Sequence, residues 1–125
     1  MKILVCGGSG FIGSTFIQNL LKNNSESSIS NLDNLSIGSN QENLKGLSNN
    51  SRYKFIQDNI QNESVVSDLI KNHDVVVNFA AESHVDRSIS NPKPFVETNV
   101  LGTYSLLEGI RKYDKFFVHV STDEV

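Results

Sequence analysis

Ile3-Leu4-Val5-Cys6-Gly7-Gly8-Ser9-Gly10-Phe11-Ile12-Gly13 is the stretch on which the fold turns. Ile3 to Cys6 is a continuous apolar run of strand length, and Gly7 ends it. From Phe11 to Lys22 the period changes, and Phe16, Ile17, Leu20 and Leu21 fall on one helical face. The glycines between satisfy both Gly-x-x-Gly-x-x-Gly and Gly-x-Gly-x-x-Gly. Glycine permits a tight turn and lets backbone approach a diphosphate closely. A helix that starts there offers unpaired N–H groups and the positive end of its dipole. Set between a strand and a helix, the motif points to a bound dinucleotide more than to a purely structural turn.

Working outward, short apolar runs alternate with longer helix-like segments. Asn23 to Ser51 is rich in Asn and Ser, yet its position places a strand at Ser28 to Asp33 and a short helix at Gln41 to Leu47. Further strands are predicted at Tyr53 to Gln57, Asp74 to Ala80 and Lys115 to Ser121. Val75-Val76-Val77 is unbroken β-branched sequence, as in a strand covered on both faces. Helices are predicted at Glu63 to Asn72 and from about Pro94 to Tyr113. In the latter Phe95, Val100, Leu101, Tyr104, Leu107 and Ile110 fall near one face. The expected fold is α/β, a Rossmann-like parallel sheet of about five strands with helices on both faces.

Asp33 lies twenty residues beyond Gly13, at the end of the second strand. A carboxylate there accepts hydrogen bonds from the adenosine ribose and repels a 2′-phosphate, which favours NAD over NADP. An aspartate in a plain Asp-Asn turn is the other reading. Phe79-Ala80-Ala81-Glu82-Ser83 follows the fourth strand, and its small residues would let a flat cofactor lie against backbone. Taken singly, His84 reads as a hydrogen-bonded structural residue rather than a catalyst, and Asp86-Arg87 as a local ion pair. His73, His84 and His119 lack the spacing of metal ligands, so no metal is expected. Asp123 and Glu124 are adjacent carboxylates just before Val125, a spacing that by itself suits a helix cap or a solvated acidic pair better than a pair converging on one substrate.

Composition excludes several classes. The chain has 125 residues with 38% hydrophobic and 20% charged side chains, the profile of one globular domain rather than a disordered one. A net charge of −3 offers no general cationic surface for nucleic acid or anionic lipid. No apolar stretch approaches the ~20 residues that span a bilayer. The single cysteine, Cys6, cannot form an internal disulfide and reads as a small core residue. The N-terminus shows no signal-peptide pattern, and a cytoplasmic location is the default.

With these motifs in view, the whole chain resembles the N-terminal part of the dTDP-glucose 4,6-dehydratases, a branch of the extended short-chain dehydrogenase/reductase family. The carriers are Gly-Gly-Ser-Gly-Phe-Ile-Gly, the run Ala80 to Ser88, Glu97-Thr98-Asn99-Val100-Leu101-Gly102-Thr103, and Ser121-Thr122-Asp123-Glu124-Val125. The resemblance implies NAD contacts at Phe11 and Ile12 within the Gly7, Gly10, Gly13 turn. It extends them to Asp33, Asn34, Leu35 and Ser36, to Asn59 and Ile60, to Phe79, Ala80, Ala81, Glu82 and Ser83, and to Thr98. Ser83 and Thr122 would touch the nucleotide-sugar substrate. Thr122 would hold the C4 oxygen, Asp123 would protonate the departing C6 hydroxyl, and Glu124 would take the C5 proton. Two departures stand out: the family usually has Asp where Asn59 stands, and Lys-Leu-Thr-Tyr-Ala-Gly-Asn where this chain reads Asn34 to Asn40.

The family also uses a Tyr-x-x-x-Lys pair, and neither Tyr53, Tyr104 nor Tyr113 has a lysine four residues on. The expectation is an NAD-binding domain over 1–125, truncated, with the C-terminal substrate domain absent and no dehydration by the chain alone. The full-length enzyme is expected to be a homodimer. The apolar strand Phe116 to Val120, left without its next neighbour, is expected to promote self-association. Other functions open at this point are a UDP-sugar epimerase or decarboxylase of the same family and a non-catalytic NAD-binding remnant.

Overall fold

The computed structural model describes residues 1–123. It contains five parallel strands: β1 (Lys2–Cys6), β2 (Ser28–Asp33), β3 (Tyr53–Gln57), β4 (Val75–Asn78) and β5 (Phe116–His119), in the spatial order β3-β2-β1-β4-β5. The helices are α1 (Phe11–Asn23), α2 (Glu63–Lys71), α3 (Val85–Ser90), the single turn α4 (Lys93–Phe95) and α5 (Thr103–Tyr113). A 3-10 helix spans Gln41–Leu47, and a π-helical turn, Val96–Gly102, joins α4 to α5.

Alternation along β1 divides the core in two. Ile3 and Val5 face α1 and pack with its Ile17 and Leu21, with Ile29, Val77 and with Leu44 of the 3-10 helix. Leu4 and Cys6 face the other way and meet Leu32, Val76, Val66 and Ile70 of α2, and Leu106 of α5. The sheet is therefore covered on both faces, as its β-branched strands require. Cys6 is fully buried, which pushes its thiol pKa up to about 12, with the Asp33 charge adding a smaller push.

Three sequence expectations are revised. The fourth strand stops at Asn78 rather than Ala80, because the Asn78 side chain turns the chain by accepting the Ala80 N–H at 3.0 Å. The fifth runs over Phe116–His119 rather than Lys115 to Ser121. The long helix expected from Pro94 begins at Lys93 and carries the π turn, whose extra residue rotates the helical phase. Its large apolar side chains Val100, Leu101, Tyr104 and Leu107 are exposed, and the buried face is Gly102, Ser105, Leu106 and Gly109. Small residues are needed on that face because Ile60 and Ile70 press against it.

Two stabilising residues carried no sequence signal. The Arg52 guanidinium caps the C-terminal end of α1, donating to the carbonyls of Leu21 (2.8 Å), Asn24 (2.6 Å) and Ser27 (3.2 Å). His73 is buried below β2, with Nδ1 on the Leu69 carbonyl at 2.6 Å and Nε2 on Ser30 Oγ at 2.8 Å.

Candidate functional site

β1 leads through α1 to β2 on one side, and the chain returns after β3 to place β4 on the other. The loops leaving β1 and β4 therefore diverge, which opens a crevice at the carboxyl ends of adjacent strands. A cleft of about 1120 Å³ occupies that crevice.

The glycine turn forms one wall. Gly7 has φ 75°, and a Cβ there would lie 2.5 Å from the Ala80 nitrogen, so both its conformation and its neighbour exclude a side chain. Gly13 sits where a Cβ would overlap the Gly7 carbonyl oxygen. Gly10 is the N-cap of α1 and offers no side-chain cap, so the first-turn N–H groups keep their hydrogen-bonding capacity for an anion. The cradle is thus shaped for backbone contact with a phosphate chain.

Asp33 lies at the floor of the cleft and is 4% exposed. Its Oδ2 accepts the Ser9 N–H at 2.9 Å, while Oδ1 accepts the Leu35 N–H at 2.8 Å and the Ser39 hydroxyl at 3.0 Å. The carboxylate so ties the glycine turn to the loop after β2, where Leu35 is held left-handed at φ 57°.

On the far wall the backbone of Glu82 pairs with the Asn99 amide. The Glu82 N–H donates to Asn99 Oδ1 at 2.9 Å, and Asn99 Nδ2 donates to the Glu82 carbonyl at 3.0 Å. The π turn thereby docks the segment after β4. At the end of β4, Asn78 uses its oxygen for the Ala80 N–H, so its Nδ2 donates to His119 Nδ1 at 3.2 Å. Thr122 Oγ1 donates to Asp123 Oδ1 at 3.3 Å.

A family model described as GDP-mannose 4,6 dehydratase matches residues 4–125. The chain belongs to the GDP-mannose 4,6 dehydratase family. It is 47% identical to the low-salt glycan biosynthesis protein Agl12 of Haloferax volcanii, covering all of this chain and 40% of that protein. It is 45% identical to a dTDP-glucose 4,6-dehydratase of Escherichia coli, again over the whole chain and over 38% of the relative. A dTDP-glucose 4,6-dehydratase of Streptomyces venezuelae, crystallised with NAD bound, superimposes with a TM-score of 0.94 at 40% identity, over 100% of this chain and 40% of that one. The chain spans about two fifths of the length of the curated relatives it matches.

In this dehydratase-family cleft the structure gathers Gly7, Gly10, Phe11, Ile12, Gly13, Asp33, Asn34, Asn59, Ile60, Phe79, Ala80, Ala81, Glu82, Ser83, Thr98 and Thr122. Leu35 and Ser36 do not line it. Leu35 spends its N–H on Asp33, and Ser36 donates its own to Asn34 Oδ1 at 3.0 Å, which curls both into an Asx-type turn. Asp123 also lies off the cleft lining, and Glu124 lies outside the described residues. Sequence reasoning missed Ser39, Asn99 and His119 among the lining residues. Asn99 had a legible signal, a poor helix former in mid-helix. Ser39 and His119 had none. Among the described residues, no helix is long and apolar enough to cross a membrane.

Proposed function

We propose that these residues form the NAD-binding unit of a dTDP-glucose 4,6-dehydratase, a lyase of nucleotide-sugar metabolism, with substrate-gripping residues supplied from outside 1–125. The observation that carries this reading is one crevice lined both by the glycine cradle and by the Ser121-Thr122 segment that follows β5. A diphosphate would rest on the Gly7, Gly10, Gly13 turn and on the first turn of α1 at Phe11 and Ile12. Asp33 and Asn34 would serve the ribose, with Leu35 and Ser36 shaping the loop behind them rather than touching it; Asn59 and Ile60 would flank the adenine. Phe79 to Ser83 and Thr98 would border the nicotinamide end. The fit rests on this chain's own geometry, since the cradle is where Cβ atoms at Gly7 and Gly13 are excluded.

NAD, when bound, would accept a hydride from C4 of the glucose and return it to C6, and so be regenerated in each turnover. Thr122 and Ser83 would hold the sugar, Thr122 at the C4 oxygen. Oxidation at C4 acidifies the neighbouring C5 proton, which Glu124 would remove while Asp123 protonates the departing C6 hydroxyl. The Thr122 hydroxyl already donates to Asp123, which links sugar orientation to the acid. No tyrosine in the sequence has a lysine four positions on, so the 125 residues alone would lack the base for C4 oxidation. The exposed stripe of Val100, Leu101, Tyr104 and Leu107 supports a homodimer of the full-length enzyme, and the single buried thiol suits a cytoplasmic setting.

The test is calorimetry of the 125-residue chain with NAD, together with a product assay on dTDP-glucose for this chain and for a full-length version. Binding by both, and 4-keto-6-deoxy product from the longer one alone, is the expected result. A chain that does not bind NAD refutes the cofactor reading. Product from the short chain refutes its dependence on a tyrosine-lysine pair outside it.

A further inference from the structure

β2 presents two polar side chains to the underside of the glycine turn, Asn31 and Asp33, two residues apart and therefore on one face. Asp33 has a place in the proposed cofactor site. Asn31 has none, although it is fully buried. An amide in that position is costly unless its arms are paired, and here they are. Asn31 Oδ1 accepts the Gly8 N–H at 3.0 Å, and Nδ2 donates to Ser9 Oγ at 3.1 Å and to the Tyr53 hydroxyl at 3.2 Å. A backbone N–H can only donate, so the atom facing Gly8 is oxygen and the amide has one orientation.

The contact is close as well as polar. A Cβ on Gly8 would overlap Asn31 Oδ1 and lie 2.5 Å from Ile17 Cδ1, so the amide is seated directly against the turn backbone. Ser9 is gripped from its other side, where its carbonyl accepts the Asn40 N–H at 2.9 Å and Asn43 Nδ2 at 3.1 Å. With the N–H groups of Gly8 and Ser9 both bound inward, by Asn31 and Asp33, the first turn of α1 is the remaining donor set for an anion. Tyr53 reaches this cluster from the neighbouring strand. Burial pushes its phenol pKa up, reinforced by the Asp33 charge and opposed by the Asn31 hydrogen bond.

We propose that Asn31 is a positioning residue for diphosphate recognition: its amide, held by Tyr53, sets the Gly7-Gly8 peptide and the Ser9 side chain so that the first turn of α1 faces the ligand. This rests on the reading of the cleft as a dinucleotide site. The amide is neutral, so it supports the turn without adding a second carboxylate beside Asp33 to repel the phosphates.

The experiment compares Asn31→Leu, Tyr53→Phe and the double variant with the parent chain. Affinities are measured for NAD, ADP and adenosine, and backbone amide exchange is measured for Gly8, Ser9 and Val5. Asn31→Leu should weaken NAD and ADP about tenfold and leave adenosine within about twofold. Exchange at Gly8 should accelerate while Val5, at the centre of the sheet, keeps its protection. Tyr53→Phe should cost NAD about threefold, and the double variant should match Asn31→Leu alone, because the hydroxyl acts through the amide. An equal loss for adenosine and NAD, or independent effects of the two substitutions, overturns the proposal. If Asn31→Leu fails to fold, Tyr53→Phe decides: a selective loss for NAD and ADP supports the proposal and unchanged affinities overturn it. A parent chain that binds neither NAD nor ADP defeats the dinucleotide reading itself. A parent that binds both, beside an Asn31→Leu variant that binds them equally, defeats the positioning role alone.

Discussion

Replacing Gly13 by Ala sets two effects of known sign against each other. Gly13 is the third residue of α1, and in an exposed helix the change would gain about 1 kcal/mol from helix propensity. Here the new methyl would overlap the Gly7 carbonyl oxygen and lie 2.8 Å from Gly8 Cα and 3.2 Å from the Gly7 carbonyl carbon. All three are backbone atoms, which cannot swing aside as a side chain can. Overpacking typically costs ~1–3 kcal/mol, and a rigid neighbour places this site at the upper end. The helix is also unable to lift away, since Ile17 and Leu21 are buried against the sheet and each contributes ~1.5–3 kcal/mol. The turn must therefore yield. The net expectation is a loss of ~1–2 kcal/mol in urea unfolding, with at least a tenfold loss of NAD affinity by calorimetry. A Gly13→Ala chain as stable as the parent and equal to it in NAD affinity would refute the close-approach reasoning.

Burial, with Lys2 and Lys115 adding to it, holds the His73 imidazole below its ordinary pKa of 6.5 against the pull of the Leu69 carbonyl and Asp74. The unfolded chain therefore binds the extra proton first, and stability present above pH 6.5 should fall as pH drops below it, by up to ~1.4 kcal/mol per pH unit. Urea midpoints between pH 7 and 5.5 should show this slope, and His73→Gln should remove it. Cys6, fully buried and with its thiol pushed up to about 12, should resist alkylation by maleimide until the chain unfolds; modification of the native protein at the rate of a free thiol would contradict its placement. Arg52→Ala strips three charge-assisted hydrogen bonds from the end of α1 and should cost ~1.5–3 kcal/mol, read as a lower urea midpoint with an unchanged slope.

Local pattern was enough to read the first βα unit from the sequence alone. The apolar run of β1, the glycine punctuation and the periodicity of α1 are all set by residues within a few positions of one another. The resemblance carried by the Ala80 to Ser88 and Ser121 to Val125 runs is equally a property of the chain, and the family match over residues 4–125 agrees with it. β2 was a weaker case. Ser28 to Asp33 is polar because Ser30 and Asn31 are satisfied by His73 and by the glycine turn, partners 43 and 22–23 residues away. No local propensity records such pairing.

The tertiary structure alone decided the π turn, where an inserted residue aims Asn99 at the Glu82 backbone and turns a small-residue face inward. It also decided why Leu35 and Ser36 leave the cleft while Ser39 enters it, since the loop after β2 folds around the Asp33 carboxylate. The physical reason is common to these cases. Periodicity reports which face of an element is apolar, whereas a buried hydrogen bond between distant residues depends on geometry that exists only once the strands have been brought side by side.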